Sequence, residues 1–358
     1  MQEALYNRYL RPNASFYTLL TGRRPKKGEY GVEVEVEGTN LPHNLPGWSE
    51  HQDGSLRGES TEYVFQQPYD YETSITKLTE LEKAFKDNKS KLDFSYRTSI
   101  HVHVNVSDLS LQHVANFITM YFILEDVLFD FAGRDRAGNL FCLRGSDAQA
   151  LIQALIGAVR HGRPADYLNS DQIRYSALNP KALVQHGSLE IRSFRGTEDF
   201  DAVRQWVTIL HQLRQAVDNF PDPPQVVFGL SAMGAEGFIR HIFRGDTASA
   251  ILKRPRLYER LMDGVRLIQD FAFCIPSWEY QGKVPEVEVG NVDNVNGLLN
   301  EIIRQQAEQI QRQGMGIRLG AEPFVPAARP MFEIDDEDID DDFDDEFDDL
   351  LRAEDEDF

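Results

Sequence analysis

The stretch YGVEVEVEG, residues 30–38, constrains this chain more than any other. Val32, Val34 and Val36 alternate with Glu33, Glu35 and Glu37. Strict alternation marks a β-strand with one apolar and one polar face. The apolar face asks for a core. The polar face sets three like charges in a row, and they repel unless something neutralises them. Water can do so on an exposed antiparallel face, so the stretch by itself leaves a solvated surface strand open.

Two further strands share the design. In HVHVNV (101–106) His101, His103 and Asn105 form one face, and Val102, Val104 and Val106 the other. In LEIRSF (189–194) Glu190 and Arg192 lie opposite Leu189 and Ile191. Each strand buries one face against helices and offers the other to something polar. On one curved sheet these faces would bring carboxylates and imidazoles together as a divalent-cation site, where the metal charge offsets the repulsion. Carboxylates suit Mg2+ or Mn2+, and histidine shifts tolerance toward Mn2+. An arginine beside them suits a phosphate oxygen. Each piece also has a bland reading: a structural His-x-His, a Glu-x-Arg salt-bridge ladder, and loop charges at Glu59 and Glu62.

The rest of the chain supplies the layers. Residues 1–28 form a lead with a short helix and a basic, turn-rich stretch. Strands are predicted at 30–37, 61–66, 98–107 and 188–194. Helices are predicted at 72–88, 110–132, 146–160 (capped by Ser146 or Asp147) and 199–220. The helix at 110–132 reads as buried in spite of Glu125, Asp126 and Asp130. Strands before residue 195, with helices around and after them, indicate an α+β fold with a largely antiparallel sheet. A core over 29–220 is completed or flanked by a helical region over 221–320, with helices near 234–243, 256–273 and 294–313. A proline-rich linker follows at 321–332.

Residues 333–358 hold 17 acidic residues and one arginine, and so −16 of the chain's −21. Such a segment is expected to be a disordered acidic tail. Phe343, Phe347, Leu350, Leu351 and the terminal Phe358 make it a candidate docking segment for a basic groove on a partner protein, or a mimic of nucleic-acid charge. A solubilising tail is the plainer reading. The body has no basic block, so no direct nucleic-acid binding is expected. Two cysteines, no apolar leader and no membrane-spanning stretch point to the cytoplasm, or to a host's cytoplasm if the gene is a phage's.

Taken in order, GVEVEVEG, DGSLRGESTEYVFQQP, SIHVHVNV and RYSALNP…GSLEIRSFRGTED resemble the amidoligase family. These are glutamine-synthetase-like carboxylate–amine ligases, related to glutamate–cysteine ligase, and the resemblance covers about residues 28–215. It implies a curved, largely antiparallel sheet of glutamine-synthetase-like type, with the site on its concave face and helices packed on its convex face. It also implies ATP-dependent amide or peptide bond formation through an acyl phosphate, with ATP and Mg2+ (or Mn2+) as cofactors. Carboxylate and amine substrates follow, a peptide or protein among them. By position it implies Glu33, Glu35, Glu62, His101 and Glu190 as metal ligands, Glu190 and Arg192 as catalytic, and His103 as a nucleotide-phosphate contact. Arg192 would bind the phosphoryl group, Asn179 takes a substrate-side polar position, and Arg144, Arg174 and Arg195 are candidates for substrate anion or phosphates. Family members usually carry a glycine just before HVHV, where this chain has RTSI, and FQQP replaces a Ser-Pro element. Glu37 and Glu59 match no role and are expected to be solvated. No Walker-type glycine loop is present, and none is needed if metals and arginines hold the phosphates. Two other readings stay open: an ATP-independent metallohydrolase built on His-x-His, and a non-enzymatic protein that works through its acidic tail.

Overall fold

The alternating stretch becomes strand β1 (Tyr30–Thr39), the centre of an antiparallel sheet. The computed structural model describes residues 5–11 and 13–280. The helix expected at 294–313, the linker and the acidic tail lie outside them. β3 (Ser60–Phe65) pairs one edge of β1 and β5 (Ser99–Asn105) the other. β7 (Ser188–Arg195) pairs β5. β2 (Trp48–His51) and β6 (Leu178–Asn179) form the two ends, and β4 (Lys91–Asp93) branches onto the far end of β1.

The sheet corrects one expectation. Its strand path, β2-β3-β1-β5-β7-β6, is open and not curled on itself, so the curved sheet with a convex helical side is not found. The α+β class and the antiparallel pairing stand. Curling toward closure requires end strands long enough to shear and approach one another. Here they are four and two residues long.

Helices cover the apolar face, and four shorter ones, α1 (Phe16–Thr21), α5 (Pro164–Leu168), α6 (Lys181–His186) and α9 (Gly245–Leu252), complete the described set. α2 (Tyr71–Asp87), α3 (Leu111–Ala132) and α7 (Phe200–Gln215) each begin at a side-chain cap: Asp70, Ser110 and Asp199 accept from the backbone N–H of Thr73, His113 and Ala202. α2 buries Leu78, Leu81 and Phe85, and α7 buries Val203, Trp206, Val207 and Leu210. They meet Val32, Val34, Val36, Ile100, Val102, Val104, Leu189 and Ile191 in one continuous core. The Phe194 and Trp206 rings sit 5.4 Å apart, and those of Tyr63 and Phe85 5.5 Å.

α3 is buried along nearly its whole length. Its two outward aspartates anchor α10 (Leu257–Ala272): Arg260 bonds both Asp126 and Asp130. The helices approach so closely that a Cβ on Gly264 would fall 2.5 Å from the carbonyl oxygens of Phe122 and Ile123. The helix expected at 234–243 starts earlier: α8 runs Pro223–Ile242 with a break at Gly234 (φ 66°). α4 (Gln149–Arg160) has no side-chain cap, because Asp147 pairs with Arg144 (2.9 Å) instead. Among the described residues, no helix is long and apolar enough to cross a membrane.

One irregularity matters for the site. Val102 pairs with Ile191 but Ile100 pairs with Phe194, so two steps on β5 face three on β7. This is a β-bulge, which puts one extra residue into β7. It lets Ile191 and Phe194 both reach the core while Arg192 stays on the polar face.

Candidate metal centre

The register lines up the polar face residue by residue. Glu35 lies opposite Glu62, Glu33 opposite His101, and His103 opposite Glu190, which in turn faces Asn179. Period-two alternation then sends all of these side chains to the same side of the sheet. His101 Nδ1 lies 2.9 Å from Glu33 Oε2 and 3.6 Å from Glu190 Oε1, and its Nε2 is 3.7 Å from Glu35 Oε1. His103 Nε2 lies 3.0 Å from Glu33 Oε1, and its Nδ1 is 3.0 Å from the Ser188 hydroxyl. Gly31, opposite His103, leaves room for that ring: a Cβ there would press on His103 Cβ at 3.3 Å.

Burying this row has a cost that can be weighed. Three valines on the other face of β1 return about 2 kcal/mol each. One unpaired buried charge costs several kcal/mol, so three would outweigh them. The row persists because it is compensated. Ser99 donates to Glu35 Oε2 from its backbone N–H (2.7 Å) and hydroxyl (2.6 Å). Arg192 donates to Glu190 Oε1 (2.6 Å) and Asn179 to Glu190 Oε2 (2.8 Å).

The titration behaviour follows. Burial pushes the Glu33 carboxyl up, but His103 and His101 outweigh it and hold it well below the usual range. Burial also raises Glu190, yet Arg192, His103 and His101 bring it below normal. Burial lowers His103, and Glu33 and Glu190 more than restore it. Glu35 stays raised by burial despite His101 and Ser99. Glu62 is pushed up to about 9, by burial first and then by Glu33, Glu35 and Asp53. A carboxyl in that position holds a proton at neutral pH unless a cation replaces it.

Among the described residues two ligand groups emerge and share His101: Glu33, His101 and Glu190, and Glu35, Glu62 and His101. In each group the donor atoms lie within 4.8 Å of one another. Carboxylate oxygens with a single imidazole fit a hard divalent cation such as Mg2+ or Mn2+.

The other sequence-derived candidates fall outside these groups. Arg192 lies on the site face beside Glu190, and its guanidinium Nε also donates to the Phe141 carbonyl (3.4 Å). Arg195 returns to the face of Ser99 after the bulge but turns toward Asp135 (3.7 Å). Arg174 lies in the loop before β6, its guanidinium 5.7 Å from the centre of the Tyr175 ring. Arg144 pairs with Asp147. Glu59 is exposed, whereas Glu37 is buried, contrary to expectation: its carboxylate accepts from Arg57 N–H (2.8 Å) and the Ser95 hydroxyl (3.2 Å).

Sequence reasoning missed two participants. Ser99 continues the 101, 103, 105 alternation by one step and was readable there. Asp53, in DGSL, raises the carboxyls of Glu35 and Glu62 from a loop, and no local pattern signals that approach.

Residues 62–213 match the model of a family described as "Putative amidoligase enzyme". The match begins at Glu62 and takes in His101, His103, Asn179, Glu190 and Arg192. It leaves out β1, and with it Glu33 and Glu35. No curated protein matches the chain. The family match and the carboxylate–histidine cluster together support an amidoligase-like enzyme in general terms.

Proposed function

We propose that the protein is an ATP-dependent carboxylate–amine ligase that makes an amide or peptide bond through an acyl phosphate. The observation that carries this reading is the register: five metal-ligand candidates from four motifs fall into one row, with Arg192 at its side. Glu33, Glu35, Glu62, His101 and Glu190 would hold Mg2+ or Mn2+, which would supply charge neutralisation for the phosphates of ATP. Arg192 is fixed by Glu190 and stays charged, because Glu190, Glu35 and Glu33 overcome the effect of its burial. It is suited to steady a transferring phosphoryl group. His103, braced by Glu33 and Ser188, presents an imidazole edge to the same space. A free carboxylate does not condense with an amine in water without activation, and phosphorylation is the chemistry this constellation favours.

The test is calorimetry of a non-hydrolysable ATP analogue with Mg2+ and with Mn2+, on the wild type and on Glu33→Ala. Metal-dependent nucleotide binding that weakens tenfold or more in the variant is expected. If metal binds but no nucleotide does, the ligase reading fails and a metallohydrolase takes its place.

A further inference from the structure

Three guanidiniums near the Glu35 end of the polar face have no carboxylate partner among the described residues, unlike the arginines that tie the helices together. Arg134, Arg204, Arg214 and Arg260 all reach carboxylates. Among the described residues, Arg57, Arg97 and Arg136 have none within ion-pair distance. Arg57 Nη2 and Arg97 Nε instead converge on one acceptor, the hydroxyl of Tyr96, at 3.0 and 3.4 Å. Tyr96 is 59% exposed, Arg57 is exposed and Arg97 half-buried.

The cluster is tied to the site. Arg57 gives its backbone N–H to Glu37 on β1, and Arg97 stands two residues before Ser99, which holds Glu35. Arg97 also donates to the Ser55 carbonyl (2.9 Å), joining its loop to the one that carries Asp53. Behind them Arg136 is buried. It donates to the backbone carbonyls of Tyr96 (3.2 Å) and Arg192 (3.3 Å), and its Nε has no partner among the described residues. Asn139 holds the same Tyr96 carbonyl at 3.0 Å. The Tyr96 backbone is therefore fixed from below, while its hydroxyl and two cations face outward. Glu37, the acid beside them, engages Arg57 N–H and Ser95, not a guanidinium. Guanidiniums gathered with no carboxylate in direct ion pair are suited to draw an anion to this end of the site.

We propose that Arg57 and Arg97, set around the Tyr96 hydroxyl, form an oxyanion-recognition site at the Glu35 end of the metal centre. It takes a carboxylate or phosphate group of the ligand that enters there. Assigning that ligand as a ligase substrate or nucleotide rests on the function proposed above; the anion site does not. The Tyr96 phenol, held below its usual range by the Arg97 hydrogen bond and then by the Arg57 charge, is suited to accept from both guanidiniums until the ligand displaces it.

The experiment is calorimetry on the full chain with two probes, glutarate and inorganic tripolyphosphate. It compares the wild type with Arg57→Gln/Arg97→Gln, with Mn2+ affinity measured in parallel. At least a tenfold weakening of one probe is expected. Loss for glutarate assigns a substrate carboxylate, loss for tripolyphosphate assigns nucleotide phosphates, and loss of both assigns a general oxyanion site. The proposal is overturned if both probes bind the double variant within twofold of the wild type, or if the wild type binds neither. Should the double variant fail to fold, Arg57→Gln alone, at an exposed side chain, is read against a threefold threshold. A wild type that binds no Mn2+ yet loses anion affinity in the variant sinks the metal reading and leaves the anion site standing.

Discussion

Among the described residues, the character of a buried acidic side chain depends on whether its partners outweigh its burial. Glu33, Glu35 and Glu37 alternate along one strand, yet Glu33 is held low by imidazoles, Glu35 is raised by burial, and Glu37 is satisfied by a loop N–H and a hydroxyl. Glu125 on α3 is the clean case away from the site. It is buried, and its carboxyl is pushed up to about 8 by desolvation, against the pull of the Gly145 N–H and Arg144 and with the help of Asp147 and Asp126. In the unfolded chain it titrates near the ordinary value of about 4.3. Between those values the folded state binds a proton that the unfolded state has released. Stability from this group is therefore full below about pH 4, falls by up to about 1.4 kcal/mol per pH unit toward pH 8, and is flat above. Urea titrations from pH 4 to 9 should show a shallower decline for Glu125→Gln than for the wild type. Parallel curves would show that Glu125 does not hold its proton.

At the scale of elements, the bulge in β7 is what lets one strand serve two masters. Without the bulge, and with every residue kept in regular pairing, the strict alternation that places Glu190 and Arg192 at the site would turn Phe194 outward and Arg195 into the core. The buried Phe194–Trp206 contact and the exposed Arg195 both depend on the shift between Ile191 and Phe194. Deleting Ser193 removes the extra residue, so regular alternation alone then keeps Arg192 on the site face and Phe194 opposite Ile100 in the core. Phe194→Ala, by contrast, empties that core position and costs about 3–5 kcal/mol. The deletion should therefore keep a cooperative thermal transition, with a midpoint well above that of Phe194→Ala. A deletion variant with no cooperative transition would show that the bulge itself is needed for β7 to pair. The same residue scale explains α4, whose expected cap was taken by Arg144 in a local ion pair.

For the whole molecule, the sheet, its covering helices and both ligand groups lie within Met1–Gly282, one compact unit. The acidic excess lies beyond it, in residues 333–358. A chain ending at Gly282 should keep a single cooperative transition, with dichroism and fluorescence coinciding, and should bind Mn2+ within about threefold of the full chain. A split transition, or a lost one, would mean that residues after 282 contribute to the core. α10 packs on this unit's core through α3: Arg260 bridges to Asp126 and Asp130, and Gly264 admits the close approach.

The longer strands, their faces and the residue types at the site are legible along the chain, because period-two alternation is local and three strands carry it in the open; the short strands β2, β4 and β6 have no such pattern. α3 is likewise legible as a buried helix, since its length and apolar content allow little else. Which carboxylates meet is settled by folding. Strand register, the β7 bulge and the loop carrying Asp53 are long-range choices with no local signature. The same holds for the open sheet, which follows from how short the end strands turned out to be, and for the burial of Glu37. The Arg57–Tyr96–Arg97 cluster is the plainest instance. Its residues lie on two loops far apart in the chain, and only folding brings their charges together.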